Sequence, residues 1–366
     1  MCTSLGALFS CLPRWGPPER PRCARFWIPK MRPVVWSSSA AVRRDVAIAL
    51  RDVPAEKSVA LLVKLAAQYD GKDRAYLEAL GLGSEGKESA VYRALSASFA
   101  KDPVAWNDAA ATIAWRLHPA EAVPALVARA NSTQLSSEQR KRMVTALAFS
   151  PTQEAANAMM DVAAAKSGEA SAQAVWWLLN RKSNTWADFN LDKALKERGV
   201  YDPENAKLTA VEMPAPVVSP IPLPEPAEIA KLAGDEARGK AAVGVCYACH
   251  RIAGTGVEFG PELTEYGKQQ TREAIIEAIA KPSASISHGY EGSIVKTKDG
   301  LTITGMAVAS GDPVLMKCMG GVIQTIPRAR IQSMSKMDRS LMYEPAMLGL
   351  TGQSIADVVA YLKSLK

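Results

Sequence analysis

Seven prolines fall between residues 203 and 226. Proline fixes φ and lacks a backbone N–H, so no regular helix or central strand can run through such a stretch. The chain is therefore expected to divide there. Residues 201–227 form a proline-rich linker, and Met213–Pro226 runs as an extended, semi-rigid spacer. Val217, Val218, Ile221 and Leu223 are apolar, which predicts that part of the spacer lies along one domain. A length of 366 residues suits two or three domains, and 48% hydrophobic content is ample for their cores.

Before the linker the pattern is helical throughout. Apolar residues recur at spacings of three and four in Ala41–Arg51, Ala55–Tyr69, Arg74–Leu82, Glu88–Phe99, Ala105–Leu117, Ala120–Ala130, Ser137–Phe149, Gln153–Ala165 and Ala170–Leu179. Short segments joined by Gly-, Pro-, Asn- or Ser-bearing turns predict stacked helix pairs over residues 39–200. This is an irregular α-solenoid that resembles HEAT-like repeats. His118 could ligate a metal, but a histidine at a helix end more often caps carbonyls or packs against a neighbour. Trp176, Trp177, Met159 and Met160 are read as core. There is no nucleophile elbow, glycine-rich phosphate loop or metal-ligand spacing in this half, so no catalytic residue is assigned.

After the linker comes Cys246-Tyr247-Ala248-Cys249-His250, a C-x-x-C-H sequence. This is the attachment pattern of c-type haem, and a chain of this composition would show it by chance only ~0.001 times. Two cysteines three apart can each form a thioether to a vinyl group on one porphyrin edge, and the adjacent histidine then reaches the iron. A thioredoxin-like redox pair and half of a zinc site are the competing readings. Zinc needs two more ligands, and Cys318 is the one cysteine downstream. A redox pair normally follows a strand, whereas Gly234–Val245 reads as a helix, with Asp235 as its N-cap. A ligating imidazole usually donates its second N–H to a backbone carbonyl, and Pro261 is well placed to supply it.

The segments CYACHRIAGTG, FGPELTEYG, KPSASISHGYEGSIVKTKDG, SLMYEPAMLGLT and IADVVAYLKSL cover roughly residues 228–366. In their order and spacing they resemble the c-type cytochrome haem-binding domain of Planctomycetes and Verrucomicrobia, and hence the C-terminal part of membrane-bound dehydrogenases. The resemblance implies an all-α cytochrome c domain with one covalent haem c and His250 as the proximal iron ligand. Electron-transfer haem usually takes Met opposite His, and Met334, Met337, Met342 and Met347 are the candidates. The family carries Ser-Leu-Met-Pro before its last helix. Ser340-Leu341-Met342 matches, although Tyr343 replaces the proline and Pro345 comes two later. Met342 is therefore the expected distal ligand and Met347 the alternative. The last helix, Ser354–Leu365, should pack across the helix leading into Cys246.

One stretch of this domain is not helical. Gly289–Lys298 and Leu301–Ala309 alternate as strands around Asp299-Gly300, a hairpin turn pair. Pro313–Cys318, Val322–Ile326 and Ala329–Met334 follow between further turns. A small antiparallel sheet is therefore expected as an insertion at about 289–334. The fold class is mainly α: an irregular helical solenoid, then a cytochrome c domain carrying a β insertion.

Charge adds little to the functional reading. Net charge is +7, but residues 1–38 hold six Lys or Arg against one Glu, so most of the excess sits there and does not point to nucleic acid. That stretch has no helical or strand period and is expected to be unstructured or a misassigned start. Leu5–Leu12 lacks the basic flank and cleavage site of a convincing signal peptide. Haem c nevertheless implies export, so a periplasmic or otherwise exported location is expected. No apolar run is long enough to span a membrane, and peripheral membrane association stays open. The expected function is electron transfer through one His/Met haem, accepting electrons from a redox partner protein or a sugar or alcohol dehydrogenase domain. An open-site haem protein and a haem-free repeat-based interaction protein are the alternatives.

Overall fold

The computed structural model describes residues 35–166, 168–217 and 221–365. It is mainly α-helical with a small antiparallel sheet. The described residues divide into two compact units, the first ending at Val200 and the second beginning at Tyr201. The expectations for residues 1–34, including the signal-like Leu5–Leu12 stretch, lie outside the described residues. Val35 departs from the unstructured expectation: it is fully buried, and its carbonyl accepts from Gln68 Nε2 at 3.0 Å.

The first unit is built of helices α1 (Ala40–Ala49), α2 (Ala55–Ala66), α3 (Arg74–Gly83), α4 (Glu88–Ser96), α5 (Asp108–Leu117), α6 (Val123–Asn131), α7 (Ser137–Phe149), α8 (Gln153–Ala164), α9 (Gly168–Arg181) and α10 (Asp192–Glu197). Side chains fix several of the starts. Asp73, Asn107, Ser136 and Thr152 each accept a backbone N–H of the first turn, and Ser136 with Gln139 completes a capping box. The expected helix at Ala120 starts as a 3-10 turn over Ala120–Ala122 and becomes α at Val123, where Pro124 occupies a first-turn position. Helices α3, α5, α7 and α9 pack side by side in series, with α6 against α7 and α8 against α9. Met159 and Met160 are core. Trp176 and Trp177 are not: they are half-buried, and Trp177 stacks edge-on against Phe149 with Arg181 over its ring. His118 ends α5 in the left-handed region, its Nδ1 3.2 Å from the Trp115 carbonyl, which is the capping role.

The second unit holds α11 (Pro226–Ile229), α12 (Glu236–Ala242), α13 (Leu263–Gln269), α14 (Arg272–Ala280) and α15 (Gly352–Ser364). Asp235 caps α12 by accepting from Arg238 N. Helix α12 crosses α15 closely, because a Cβ on Gly239 would stand 2.0 Å from the Asp357 carbonyl oxygen. A charged cluster ties the crossing. Asp357 is buried and receives Arg238 Nε, the Asp235 backbone N–H and Gln353 Nε2 at 2.8–2.9 Å. Arg238, with these other donors, holds the Asp357 carboxyl down to about 2. The apolar side is a core of Ile229, Val243, Ile275, Ile355, Val359 and Leu362.

The hairpin β1 (Arg251–Ile252) and β2 (Thr255–Gly256) is small. The five-stranded sheet comprises β3 (Gly292–Thr297), β4 (Thr302–Ala309), β5 (Val314–Lys317), β6 (Ile323–Ile326) and β7 (Ile331–Lys336). Its order is β6-β5-β4-β3-β7, antiparallel throughout. The proline-bearing stretch from residue 201 to 217 belongs to this unit. Val211 N donates to the Thr302 carbonyl at 3.0 Å, and its own carbonyl accepts from Thr304 N at 2.7 Å. Thr209 exchanges two bonds with the Gln324 amide at 2.8 and 2.7 Å. Leu208 and Val211 cover the apolar cluster of Val295, Ile303, Val314 and Ile326. Leu223 packs on the helical core, whereas Val217 and Ile221 are 57% and 79% exposed. Among the described residues no helix is long and apolar enough to cross a membrane.

Candidate functional site

Cys246 and its neighbours lie on a 3-10 turn, Val243–Ala248, that continues α12. The Cys246 carbonyl accepts from Cys249 N at 3.1 Å and His250 N at 2.8 Å, so the turn closes on itself and carries His250 beneath it. After the β1–β2 hairpin the chain returns over the turn. Val257 N donates to the Tyr247 carbonyl, and Phe259 N and Gly260 N both donate to that of Cys249. Backbone alone therefore holds the two thiols and the imidazole in one small frame.

His250 is only 9% exposed, and its Nδ1 lies 2.7 Å from the Pro261 carbonyl oxygen. A carbonyl can only accept, so Nδ1 carries the proton and Nε2 keeps the lone pair. Burial lowers the imidazole's pKa and the Pro261 bond opposes it, burial being the larger cause. Gly260 permits this arrangement: a Cβ there would stand 2.5 Å from His250 Cε1 and 2.8 Å from Nδ1. The thiols are shifted the other way. Burial, with the nearby Cys249, pushes Cys246 up to about 11, and burial raises Cys249 as well. Both cysteines are free. A thioredoxin-type pair needs a depressed thiol pKa, so this environment argues against that reading. A zinc site fares no better, because among the described residues no group of three or more His, Cys, Asp or Glu could hold a metal.

The three side chains open into one cavity of ≈ 490 Å³, within the roughly 300–1,000 Å³ usual for cofactor sites. Its walls are largely apolar, from Leu263, Ile275, Ile279, Ile355, Val358 and Leu362. Met342 lines it as well. Met347 sits in the 3-10 turn Pro345–Leu348 and is not among the lining residues. Met334 is on β7, exposed, and Met337 packs near Gly292 and Leu341. Two further methionines line the cavity and were missed by sequence reasoning. Met306 comes from β4 and clusters with Phe259, Leu341 and Cys249, and Met319 comes from the β5–β6 connection. The Met319 sulfur already accepts from Tyr343 Oη at 3.2 Å. The alternation of β4 puts Met306 and Thr304 on one side and Ile303 on the other, but no local signal says what that side faces.

An imidazole lone pair, two thiols and a thioether around one apolar cavity form a donor set that could hold a cofactor and ligate its metal. A scan of protein-family models and a search of curated proteins both return no match to this chain.

Proposed function

We propose that the second unit is a cytochrome c-type domain with a β insertion. In this reading it carries one covalent haem c and transfers single electrons in the periplasm or another exported compartment. The first unit is proposed to be a HEAT-like solenoid that serves as its scaffold. The single observation that carries the reading is His250, buried with Nδ1 committed to Pro261, in a cavity shared with Cys246, Cys249 and Met342. The haem, when bound, supplies a one-electron couple whose potential the axial ligands and the apolar walls set.

The chain's own groups then have distinct tasks. Cys246 and Cys249 would each add S–H across a vinyl group, forming a carbon–sulfur bond and passing the proton to the neighbouring vinyl carbon. His250 would offer Nε2, with the Pro261 carbonyl fixing the ring and raising its basicity. Met342 would offer a soft thioether opposite, which favours the reduced state and closes the site. The aliphatic wall would exclude water and keep the local dielectric low. No residue is proposed to act on a substrate, so the electron donor would be a redox protein or a dehydrogenase domain, sugar and alcohol dehydrogenases among them.

Co-expression with a haem c maturation system tests this. The chain should gain one haem that survives acid-acetone extraction. The double change Cys246→Ala and Cys249→Ala should abolish it and Cys318→Ala should not. Covalent haem on the double variant, or none on the parent chain, would overturn the proposal.

A further inference from the structure

The helical unit has a recess of its own. Helix α7 presents Glu138, Lys141, Arg142 and Thr145 at i, i+3, i+4 and i+7, one polar face of a helix whose Met143, Val144 and Leu147 are core. Arg74 on α3, Thr112 and Trp115 on α5, and Gln173 on α9 face the same space. Tyr69 and Lys72, from the connection between α2 and α3, close one side. The groove has a volume of ≈ 430 Å³ and spans four helices that pack in series.

Its polar groups are only partly satisfied. Four cations line it against one carboxylate, Glu138. Arg74 is paired with Glu78 at 2.5 Å, and Lys141 with Glu169 at 3.1 Å and Glu138 at 3.8 Å. Among the described residues neither the Arg142 guanidinium nor the Lys72 ammonium has a carboxylate within 4.0 Å, although the Lys72 backbone N–H donates to Asp70 Oδ1 at 2.8 Å; Arg142 makes one long contact, 3.4 Å to Thr112 Oγ1. Gln173 donates Nε2 to Thr145 Oγ1 at 3.0 Å, while its Oε1 is buried with no donor. Trp115 adds a flat wall, with the Arg74 guanidinium 5.0 Å over its ring.

We propose that this groove binds an extended acidic segment of a partner protein. Such a segment answers each requirement at once. A Glu or Asp carboxylate pairs with Arg142 and Lys72, where guanidinium geometry favours a carboxylate. The segment's aliphatic carbons lie on Trp115. A groove crossing consecutive helices also suits an extended chain better than a compact ligand. The proposal is independent of the haem, because all of its residues lie in the first unit.

The full-length chain should bind fluorescein-labelled hexaglutamate, read by anisotropy, and binding should weaken at least tenfold between 50 and 300 mM salt, as expected for charge pairing. The double variant Arg142→Gln and Lys72→Gln should bind at least tenfold more weakly, with an unchanged circular-dichroism spectrum. Lys193→Gln, an exposed cation on α10, should bind like the parent. Equal binding of labelled hexaglutamine would overturn the proposal. So would full binding by the double variant, an equal loss in Lys193→Gln, or displacement by free glutamate at the same carboxylate concentration.

Discussion

Gly260→Ala puts the geometry of the site to its most direct test. Gly260 is not in the left-handed region, so alanine meets no backbone strain and the effect is purely steric. The new Cβ would stand 2.5 Å from His250 Cε1, 2.8 Å from Nδ1 and 3.0 Å from Nε2, where ordinary contact begins at 3.4 Å. About 1 Å must open. The backbone can give little, because Gly260 N is bound to the Cys249 carbonyl at 2.6 Å and His250 N to that of Cys246 at 2.8 Å. The ring must then swing, and swinging breaks its bond to Pro261.

Overpacking of this kind costs about 1–3 kcal/mol, and a lost hydrogen bond about 1 more. Against that, Gly→Ala stabilises by about 0.4–1 kcal/mol through the unfolded chain. The clash wins, and a net loss of about 2 kcal/mol is expected. With a urea m value of about 2 kcal/mol/M for a domain of this size, the midpoint should fall by about 1 M. All eight tryptophans precede residue 201, so fluorescence does not report on the second unit, which haem absorbance would follow if the proposed haem is bound. The fluorescence transition should not move. Gly244→Ala is the control, since a Cβ there meets nothing within 4 Å, and it should leave the midpoint unchanged or slightly higher. Gly260→Ala as stable as the parent, or Gly244→Ala losing as much, would refute the argument that close contact with His250 selects glycine.

Other outcomes follow from the same structure. Met342→Ala should lose the long-wavelength thioether-to-iron absorption of the oxidised chain, lower its potential and admit cyanide at least about tenfold faster, whereas Met347→Ala should do none of these. Asp357→Asn should cost about 1–2 kcal/mol at pH 7, allowing for screening at half-exposed Arg238. The folded pKa of Asp357, about 2, lies below the unfolded value. Its contribution is therefore complete above about pH 4 and is lost as pH falls through 2, and acid titration of the variant should lack that portion of the loss. A fragment starting at Tyr201 should fold, while one starting at Ala227 should be about 3 kcal/mol less stable by urea titration. The shorter piece lacks the Leu208 and Val211 cover and strands the buried Gln324 amide. Equal stability would mean the covering segment is incidental.

What could be read from the chain was what short-range chemistry decides. Apolar spacing placed the helices of the first unit, and Asp235 announced a helix start because a short polar side chain has little else to do before an apolar run, whereas the helix expected from Ala105 begins only after its cap, Asn107. Asp299-Gly300 located a hairpin, with Gly300 at φ +89°, and alternation gave five strands. The Pro261 contact was expected on chemical grounds, because a ligating imidazole usually donates its second N–H to a backbone carbonyl, and His250 Nδ1 lies 2.7 Å from that carbonyl. The destinations of faces were not legible. Met306 and Met319 are distant in sequence from the C-x-x-C-H turn, and nothing in a strand's alternation names the element that its inner side meets.

The proline stretch shows the same limit most plainly. Proline excludes helix and central strand, and that inference held from 206 to 217, where the only regular pairing is the single bridge at Val211. Exclusion from regular structure does not exclude burial. The segment keeps N–H groups at Thr209 and Val211, between Pro203 and Pro214, and spends them on Gln324 and on the free edge of β4. That edge is free because β5 pairs with β4 only from Met306 onward, so residues 302–304 offer an unpaired C=O and N–H to whatever passes. An exposed edge invites pairing with another chain; here the chain's own proline-bearing segment occupies it. The same sheet turns Met306 toward Cys249 on its other side. The segment that reads as a spacer thus backs the sheet that walls the cavity, and its Met213 packs beside Phe259, Met306 and Leu341, so a change at Val211 or Thr209 should be felt at the site through β4 and through Met213.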